Sequence, residues 1–143
     1  MKHQRLSTSP EVSRRMARVH LKRGTAETLL AKALWHRGIR YRYNDSGLAG
    51  SPDIVIPRYK IVIFVDGEFW HGHDWEQRKK TLKKNREYWI EKIEENMSRD
   101  RRNDALLRES GWCVFHFWER DVKRSLDRCV EDIFEEIMDI LSD

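Results

Sequence analysis

Apolar positions along this chain keep two rhythms, a helical one near the ends and a strand-like one in the middle. Val12, Met16 and Val19 recur at helical spacing, with Arg14, Arg15 and Arg18 around the other side. Thr8-Ser9-Pro10-Glu11 opens that helix with a capping residue, a proline tolerated in the first turn, and an acid three residues after Thr8. Gly24 breaks it. Thr25 caps a second helix to about Arg37, with Leu30, Ala31 and Leu34 as its apolar stripe. Gly38 ends this helix, and Ile39-Arg40-Tyr41-Arg42-Tyr43 alternates with a period of two, as a first strand does.

Asn44-Asp45-Ser46-Gly47 is a turn cluster. Residues 51–56 read as a second strand, stopped by Pro57. Tyr59 to Val65 is a nearly continuous Ile/Val/Phe run, predicting a central strand buried on both faces. Only Pro57-Arg58 separates the two, which predicts a tight hairpin. A long helix follows from about Asn85 to Ser110, stopped by Gly111, with Trp89, Lys92, Ile93 and Asn96 on one side. Trp112 to Trp118 is the fourth strand. A last helix, about Lys123 to Leu141, carries the stripe Leu126, Cys129, Val130, Ile133, Phe134, Ile137, Ile140 and Leu141. The order helix, helix, three strands, helix, strand, helix predicts an α/β domain with a central sheet between helices. Residues 1–23 form a basic arm ahead of the main domain, 24–143.

At 143 residues the chain holds one domain with a real core. Net charge is +4 and 36 % of residues are charged, so the surface is densely ionic. Charge alone separates nucleic-acid binders from ordinary basic proteins poorly, and its distribution must decide. Six tryptophans exceed what such a core needs and leave some for stacking. The two cysteines, Cys113 and Cys129, read as reduced core thiols rather than a disulfide. No apolar run follows Met-Lys-His-Gln-Arg, and none approaches the roughly twenty residues of a membrane span. A cytoplasmic protein without a membrane partner is expected.

The chemistry concentrates between Ser51 and Trp75. Asp53 follows Pro52 at the start of one strand. Asp66, Glu68, Phe69, Trp70, His71 and His73 cluster at the end of the next. Antiparallel neighbours would bring the two aspartates to one sheet edge. Hard carboxylate and carbonyl oxygens suit Mg²⁺, which activates phosphodiesters toward hydrolysis. Acids at strand ends are common, so the residues beside them carry more weight. An imidazole near a cation suits general-base work near neutral pH. The alternative is a zinc or nickel site on His71, His73 and an acid, although no cysteine or later histidine has the spacing to complete it. Phe69 and Trp70 could be core, but two adjacent large aromatics cannot both face inward, so at least one should be exposed.

From Arg78 to Arg86, six of nine residues are Lys or Arg, Lys79 and Lys80 among them. Such a run is ordinarily a solvated face; its place beside the acidic loop favours phosphate binding. Arg14 and Arg15 fit either a surface helix or an arm laid on phosphates. Glu27 shares the second helix's apolar stripe, where a carboxylate is costly unless paired or functional, but an acid in the first turn is also favoured by the helix dipole.

Several stretches together carry a family likeness: Ser13-Arg14-Arg15-Met16-Ala17, Thr25-Ala26-Glu27, Gly50-Ser51-Pro52-Asp53, Val62-Ile63-Phe64, Gly67, Phe69-Trp70-His71, Tyr88 to Ile93, Asn96, Arg99-Asp100-Arg101-Arg102, Leu107, Gly111-Trp112 and Trp118-Glu119. From about Ser13 to Trp118 the chain resembles the Vsr family, the very-short-patch-repair DNA mismatch endonucleases. The resemblance implies a single-domain restriction-endonuclease-like fold of the PD-(D/E)xK type, and Mg²⁺-dependent nicking of duplex DNA 5′ to the thymine of a T:G mismatch, with Mn²⁺ able to substitute. It also implies that Asp53 and the Val65 backbone carbonyl hold the metal, that Glu27 supports it, and that His71 is the general base. Phe69, Trp70 and Trp89 would wedge into the duplex, with Met16 entering from the other groove and Lys92 and Asn96 touching the mismatched pair. A bacterial monomer acting on the nucleoid is expected. A mismatch-repair protein and a cytosine methyltransferase system are the companions the resemblance points to.

The chain departs from the family in three places. Where the family holds a structural zinc, this chain has Glu68, His73, Trp75 and Arg120, so no structural zinc is expected, and a Glu68–Arg120 ion pair should tie the loop down instead. Asp66 replaces a site histidine and adds negative charge beside the metal. The turn before Asp53 and the basic run after Trp75 differ in detail, so flanking-base preference does not carry over.

Overall fold

The computed structural model describes residues 24–43 and 45–143; the N-terminal arm, with Met16, Arg14 and Arg15, lies outside them. The first described element is helix α1, Thr25–His36. Its N-cap is Gly24, not Thr25, and Thr28 Oγ1 donates to the Gly24 carbonyl at 3.0 Å, fastening the first turn. Leu30, Ala31 and Leu34 are buried as their spacing predicts.

Strand β1 is only Arg42–Tyr43, shorter than the predicted 39–43. Its partner β2, Ile54–Ile56, is itself three residues long, so pairing stops at Arg42↔Val55 and Tyr43↔Ile54. Ile39 drops into the core instead of joining the sheet. β2 and β3, Ile61–Asp66, form the expected antiparallel hairpin. A 3-10 turn, Pro57–Tyr59, and a left-handed Lys60 (φ 54°) connect them, which delays β3 to Ile61. All six residues of β3 are buried, as the apolar run predicts.

Helix α2, Trp75–Thr81, takes up part of the basic run that sequence reading left without an element. Asn85, left-handed at φ 56°, then caps the long helix α3, Arg86–Glu109. Strand β4, Cys113–Trp118, returns parallel to β3, in register Phe64↔His116 and Asp66↔Trp118. The predicted last helix, from about Lys123, is α5, Leu126–Ser142; a short helix not foreseen, α4, Glu119–Arg124, precedes it, and Ser125 separates the two. The sheet order is β1-β2-β3-β4, mixed, with helices on both faces.

One face of the sheet packs Ile54, Ile56, Ile61, Ile63, Val65 and Phe117 against α1, α4 and α5. The other packs Val55, Val62 and Phe64 against Leu107 of α3. Each such fully buried side chain contributes about 1.5–3 kcal/mol. On α5, Cys129, Val130, Ile133 and Ile137 are buried, but Leu141, in the last turn, is exposed. Both cysteines are free, with burial raising both thiols' pKa values. No helix among the described residues is long and apolar enough to cross a membrane.

Candidate active site and nucleic-acid face

Two carboxylates break the apolar interior: Asp53 and Asp66, each 8 % exposed. Asp53 sits one residue ahead of β2, where its backbone N–H still pairs with the Ile63 carbonyl. Its Oδ2 accepts the Val65 N–H at 2.7 Å, tying the head of β2 to the tail of β3. Burial pushes Asp53's pKa above the ordinary carboxylate value, against the pull of that hydrogen bond. Asp66 ends β3 and meets two imidazoles: its Oδ1 lies 4.0 Å from His71 Nδ1, and its Oδ2 lies 2.6 Å from His116 Nδ1.

Helix α3 supplies two further acids. Asp100 and Asp104 lie four residues apart and share a helix face. Asp100 Oδ2 accepts from His71 Nδ1 at 2.7 Å, and Asp104 accepts from His116 Nε2 at 2.8 Å. A carboxylate can only accept, so His71 carries its proton on Nδ1, and the neutral ring keeps its lone pair on Nε2. The Asp100 hydrogen bond raises the His71 pKa, against the opposing effect of burial. Asp66's negative charge is thus matched by His116 rather than standing bare beside a metal. Asp100, Asp104 and His116 are the residues that sequence reading left without a role. A polar His116 within the otherwise apolar strand and the acids' spacing of four were the available signals.

Asp53, the end of β3 and His71 are therefore brought together. Glu27 lies beside Glu119 of α4, at the loop that follows β3: a methyl on Gly24 would come 3.6 Å from Glu27 Oε1 and 4.0 Å from Glu119 Oε2, and one on Gly67 would come 3.5 Å from Glu119 Oε1. Among the described residues, no three His, Cys, Asp or Glu side chains converge to hold a metal ion. The donors at the Asp53 edge still fit a hard divalent cation. They are a buried carboxylate with one oxygen committed to Val65 and the other remaining, and a neighbouring strand-end backbone; substrate and water oxygens would complete the set such a cation keeps.

The loop after β3 carries the aromatics. The Phe69 ring lies 5.0 Å from Trp70 and 5.5 Å from Trp89, and Trp70 lies 5.4 Å from Trp89. Tyr88 joins them, 5.0 Å from Trp89. Trp70 is 47 % and Tyr88 55 % exposed, so the cluster faces outward. Arg78 lies over Phe69, and Lys92 over Tyr88. Asn96 Nδ2 donates to the Trp70 carbonyl at 3.1 Å, so its amide braces this loop. Lys79 pairs with Glu94 at 3.0 Å, Lys80 is exposed, and Arg86 folds back onto the Lys79 and Leu82 carbonyls. The basic run is therefore partly committed within the protein.

The loop's fastening differs from the expected ion pair. Glu68 Oε2 accepts the backbone N–H of Arg120 at 2.8 Å, while the Arg120 guanidinium donates to His73 Nε2 at 3.0 Å. The guanidinium turns to His73 because the Arg120 backbone N–H, free at the start of α4, already satisfies Glu68. Burial works against Glu68's charge, but that N–H and the nearby guanidinium hold its pKa below the ordinary value. The His73 ring stands edge-on to Trp118 at 4.7 Å, and buried Trp75 donates Nε1–H to Glu94 at 2.9 Å.

The family model described as DNA mismatch endonuclease Vsr matches residues 6–77. The chain belongs to the Vsr DNA mismatch endonuclease family. It is 44 % identical to the type II nicking enzyme V.NmeDIP of Neisseria meningitidis serogroup C over 132 residues, 92 % of this chain and 89 % of that one. It is 51 % identical to the type II nicking enzyme V.HpaIIP of Haemophilus parainfluenzae over 102 residues, 71 % of this chain and 72 % of that one. To the DNA mismatch endonuclease Vsr of Escherichia coli K12 it is 35 % identical over 127 residues, 87 % of this chain and 81 % of that one. As a Vsr-family protein it is a DNA endonuclease, and the mixed sheet between helices is consistent with a restriction-endonuclease-like fold.

Proposed function

We propose that this Vsr-family protein nicks one strand of duplex DNA 5′ to the thymine of a T:G mismatch, with Mg²⁺ as cofactor and Mn²⁺ able to replace it. Asp53 and the Val65 backbone carbonyl would hold the cation, with Glu27 and Asp66 nearby. The chemistry a divalent cation supplies when bound is polarisation of a phosphate oxygen and neutralisation of developing negative charge. His71 takes the proton of the attacking water on Nε2, because Asp100 holds the other proton on Nδ1. Water oxygen bonds to phosphorus, the bond from phosphorus to the 3′ oxygen breaks, and that oxygen is protonated, leaving a 3′-hydroxyl and a 5′-phosphate.

The observation that carries the mismatch reading is that the exposed aromatic cluster is built on the segment that delivers His71: Phe69 and Trp70 directly precede it. Aromatic wedges unstack a base step at a cost that is lowest where pairing is already weakened, as at a T:G wobble. Phe69, Trp70 and Trp89 would enter beside the mismatch, with Lys92 and Asn96 near the mismatched pair, Lys79, Lys80, Arg14 and Arg15 toward the phosphates, and Met16 entering from the other groove. Asn96 also braces the Trp70 segment.

The test is a nicking assay on matched and mismatched duplexes with Mg²⁺ and with Mn²⁺. T:G duplex should be nicked fastest, and EDTA should stop turnover. Homoduplex cut as fast as T:G would replace mismatch repair by a restriction-like or mobile-element nuclease. Binding without turnover in either metal would leave a DNA-distorting module.

A further inference from the structure

His71 and Asp66 do not stand alone. Five side chains form one alternating row of acids and imidazoles: Asp100, His71, Asp66, His116, Asp104. The contacts along it are 2.7 Å, 4.0 Å, 2.6 Å and 2.8 Å. The mechanism above uses the first three members. His116 and Asp104 form the far end, and neither has a role there.

The fold builds that end with care. Phe64 and His116 are register partners on the parallel strands β3 and β4. Their rings lie stacked, with centroids 4.8 Å apart and planes 10° from parallel. Phe64 is itself locked in the core under α3. The imidazole is thus fixed in its plane by the phenyl ring, and about its axis by a carboxylate at each nitrogen. Both Asp104 oxygens lie 2.8 Å from Nε2. Since each ring nitrogen meets an acceptor, both must donate.

Asp66 has one buried carboxylate to orient and two imidazoles to face. His116 takes Oδ2, which turns Oδ1 toward His71. His71 Nδ1 is then held by Asp100 on one side, with Asp66 Oδ1 on the other, and Nε2 is left as the working nitrogen.

We propose that His116, fixed by Asp104 and Phe64, is a positioning residue that sets the rotamer of Asp66 and, through it, the orientation of His71. The inference rests on reading Asp53, Asp66 and His71 as the catalytic edge, and is independent of which duplex is the substrate. Neither His116 nor Asp104 belongs to the Phe69–Trp70–Trp89 cluster, so they act on turnover and leave DNA binding alone.

Two substitutions separate positioning from packing. His116→Phe keeps a flat ring against Phe64 and removes both donors. His116→Asn keeps a donor at the Nδ1 position toward Asp66. Single-turnover nicking is measured on whichever duplex the wild type cuts fastest, and DNA affinity is measured in EDTA. The His71 ring is followed by its imidazole ¹⁵N resonances. His116→Phe should lower the nicking rate on the order of 10- to 100-fold, the size of effect seen when an outer hydrogen-bond partner of a site residue is removed. Its DNA affinity should stay at the wild-type value and the His71 nitrogen shifts should move. His116→Asn should recover most of the rate.

A wild-type rate in His116→Phe would overturn the proposal. So would unmoved His71 resonances, or equal loss in both variants accompanied by weaker DNA binding. If His116→Phe does not fold, Asp104→Asn decides: a wild-type rate overturns, and a reduced rate with unchanged affinity supports. Nicking that survives Asp53→Ala would instead remove the catalytic-edge reading itself. A substrate other than T:G would revise the function and leave His116 in place.

Discussion

His71 Nδ1 donates to Asp100 Oδ2 at 2.7 Å, joining the loop after β3 to the middle of α3. The partnership fixes which ring nitrogen is free. Asp100→Asn replaces a group that can only accept with one that can also donate, allows the ring to turn or exchange tautomers, and should lower kcat on the order of 10- to 100-fold with little change in DNA affinity. His71→Ala should cost more, on the order of 10²- to 10⁴-fold. Equal rates for Asp100→Asn and the wild type in rapid-quench nicking would remove Asp100 from the mechanism.

Asp53 is a buried carboxylate whose charge the fold disfavours. Its folded pKa is raised by burial, so its contribution is present below the unfolded value and lost as pH rises through the folded one. Above the unfolded carboxylate value, burial of this group therefore costs the metal-free protein stability. Asp53→Asn, whose side-chain oxygen can still accept from Val65, should therefore raise Tm in EDTA while abolishing nicking and leaving DNA binding largely intact. Added Mg²⁺ should raise Tm of the wild type and not of the variant. A lower Tm for Asp53→Asn in EDTA would contradict this account.

His116 loses stability in the same pH direction, but its charged form is the favoured one. Burial alone would lower the imidazole's pKa, but Asp66 and Asp104 overcome it and push the value up to about 9. A raised histidine contributes stability fully below its unfolded pKa of about 6.5, and loses it as pH rises through the folded value. In EDTA, the Tm advantage of the wild type over His116→Phe should be largest near pH 6 and shrink steadily toward pH 9. An advantage that grows with pH would show the sign to be wrong.

Gly72 has φ +79°, and a Cβ there would lie 2.4 Å from Met97 Sδ. Two penalties combine. The left-handed backbone costs a non-glycine residue roughly 1–2 kcal/mol, and the methyl must also displace Met97 from under the loop. Gly72→Ala should lower Tm by a few degrees and weaken DNA binding, because the displaced loop carries Trp70. Gly72→Ala with Met97→Ala should recover part of both. Unchanged affinity in Gly72→Ala would separate loop seating from recognition.

The sheet was legible because β3 is apolar from Ile61 to Val65 and bounded by Pro57 and the acidic loop. The helices were legible from their stripes. Element ends were not, where tertiary pairing decides: β1 stops with its short partner β2, and Ser125 separates the last helix from a short one not foreseen. Asp53, Asp66 and His71 were readable as a group because one hairpin and its loop carry them. Asp100, Asp104 and His116 come from α3 and β4, thirty to fifty residues later, and only the parallel return of β4 over α3 brings them in. The Glu68–Arg120 contact was foreseen as a pairing of side chains. The structure makes it through a helix-start N–H, a group that sequence reading passes over because every residue but proline carries one.

Helix α3 holds Trp89 at one end of its exposed face and Asp100 eleven residues on, about 16 Å along the axis. A continuous helix is stiff over that span. The ring proposed to enter the duplex and the carboxylate that holds His71 are therefore two points on one lever, with Asn96 clipping the Trp70 loop to it in between. On this reading, a duplex that seats the aromatics poorly would tilt the lever and spoil the alignment of His71. Fidelity can then be exercised in the rate of cutting, after a wrong site has already been held.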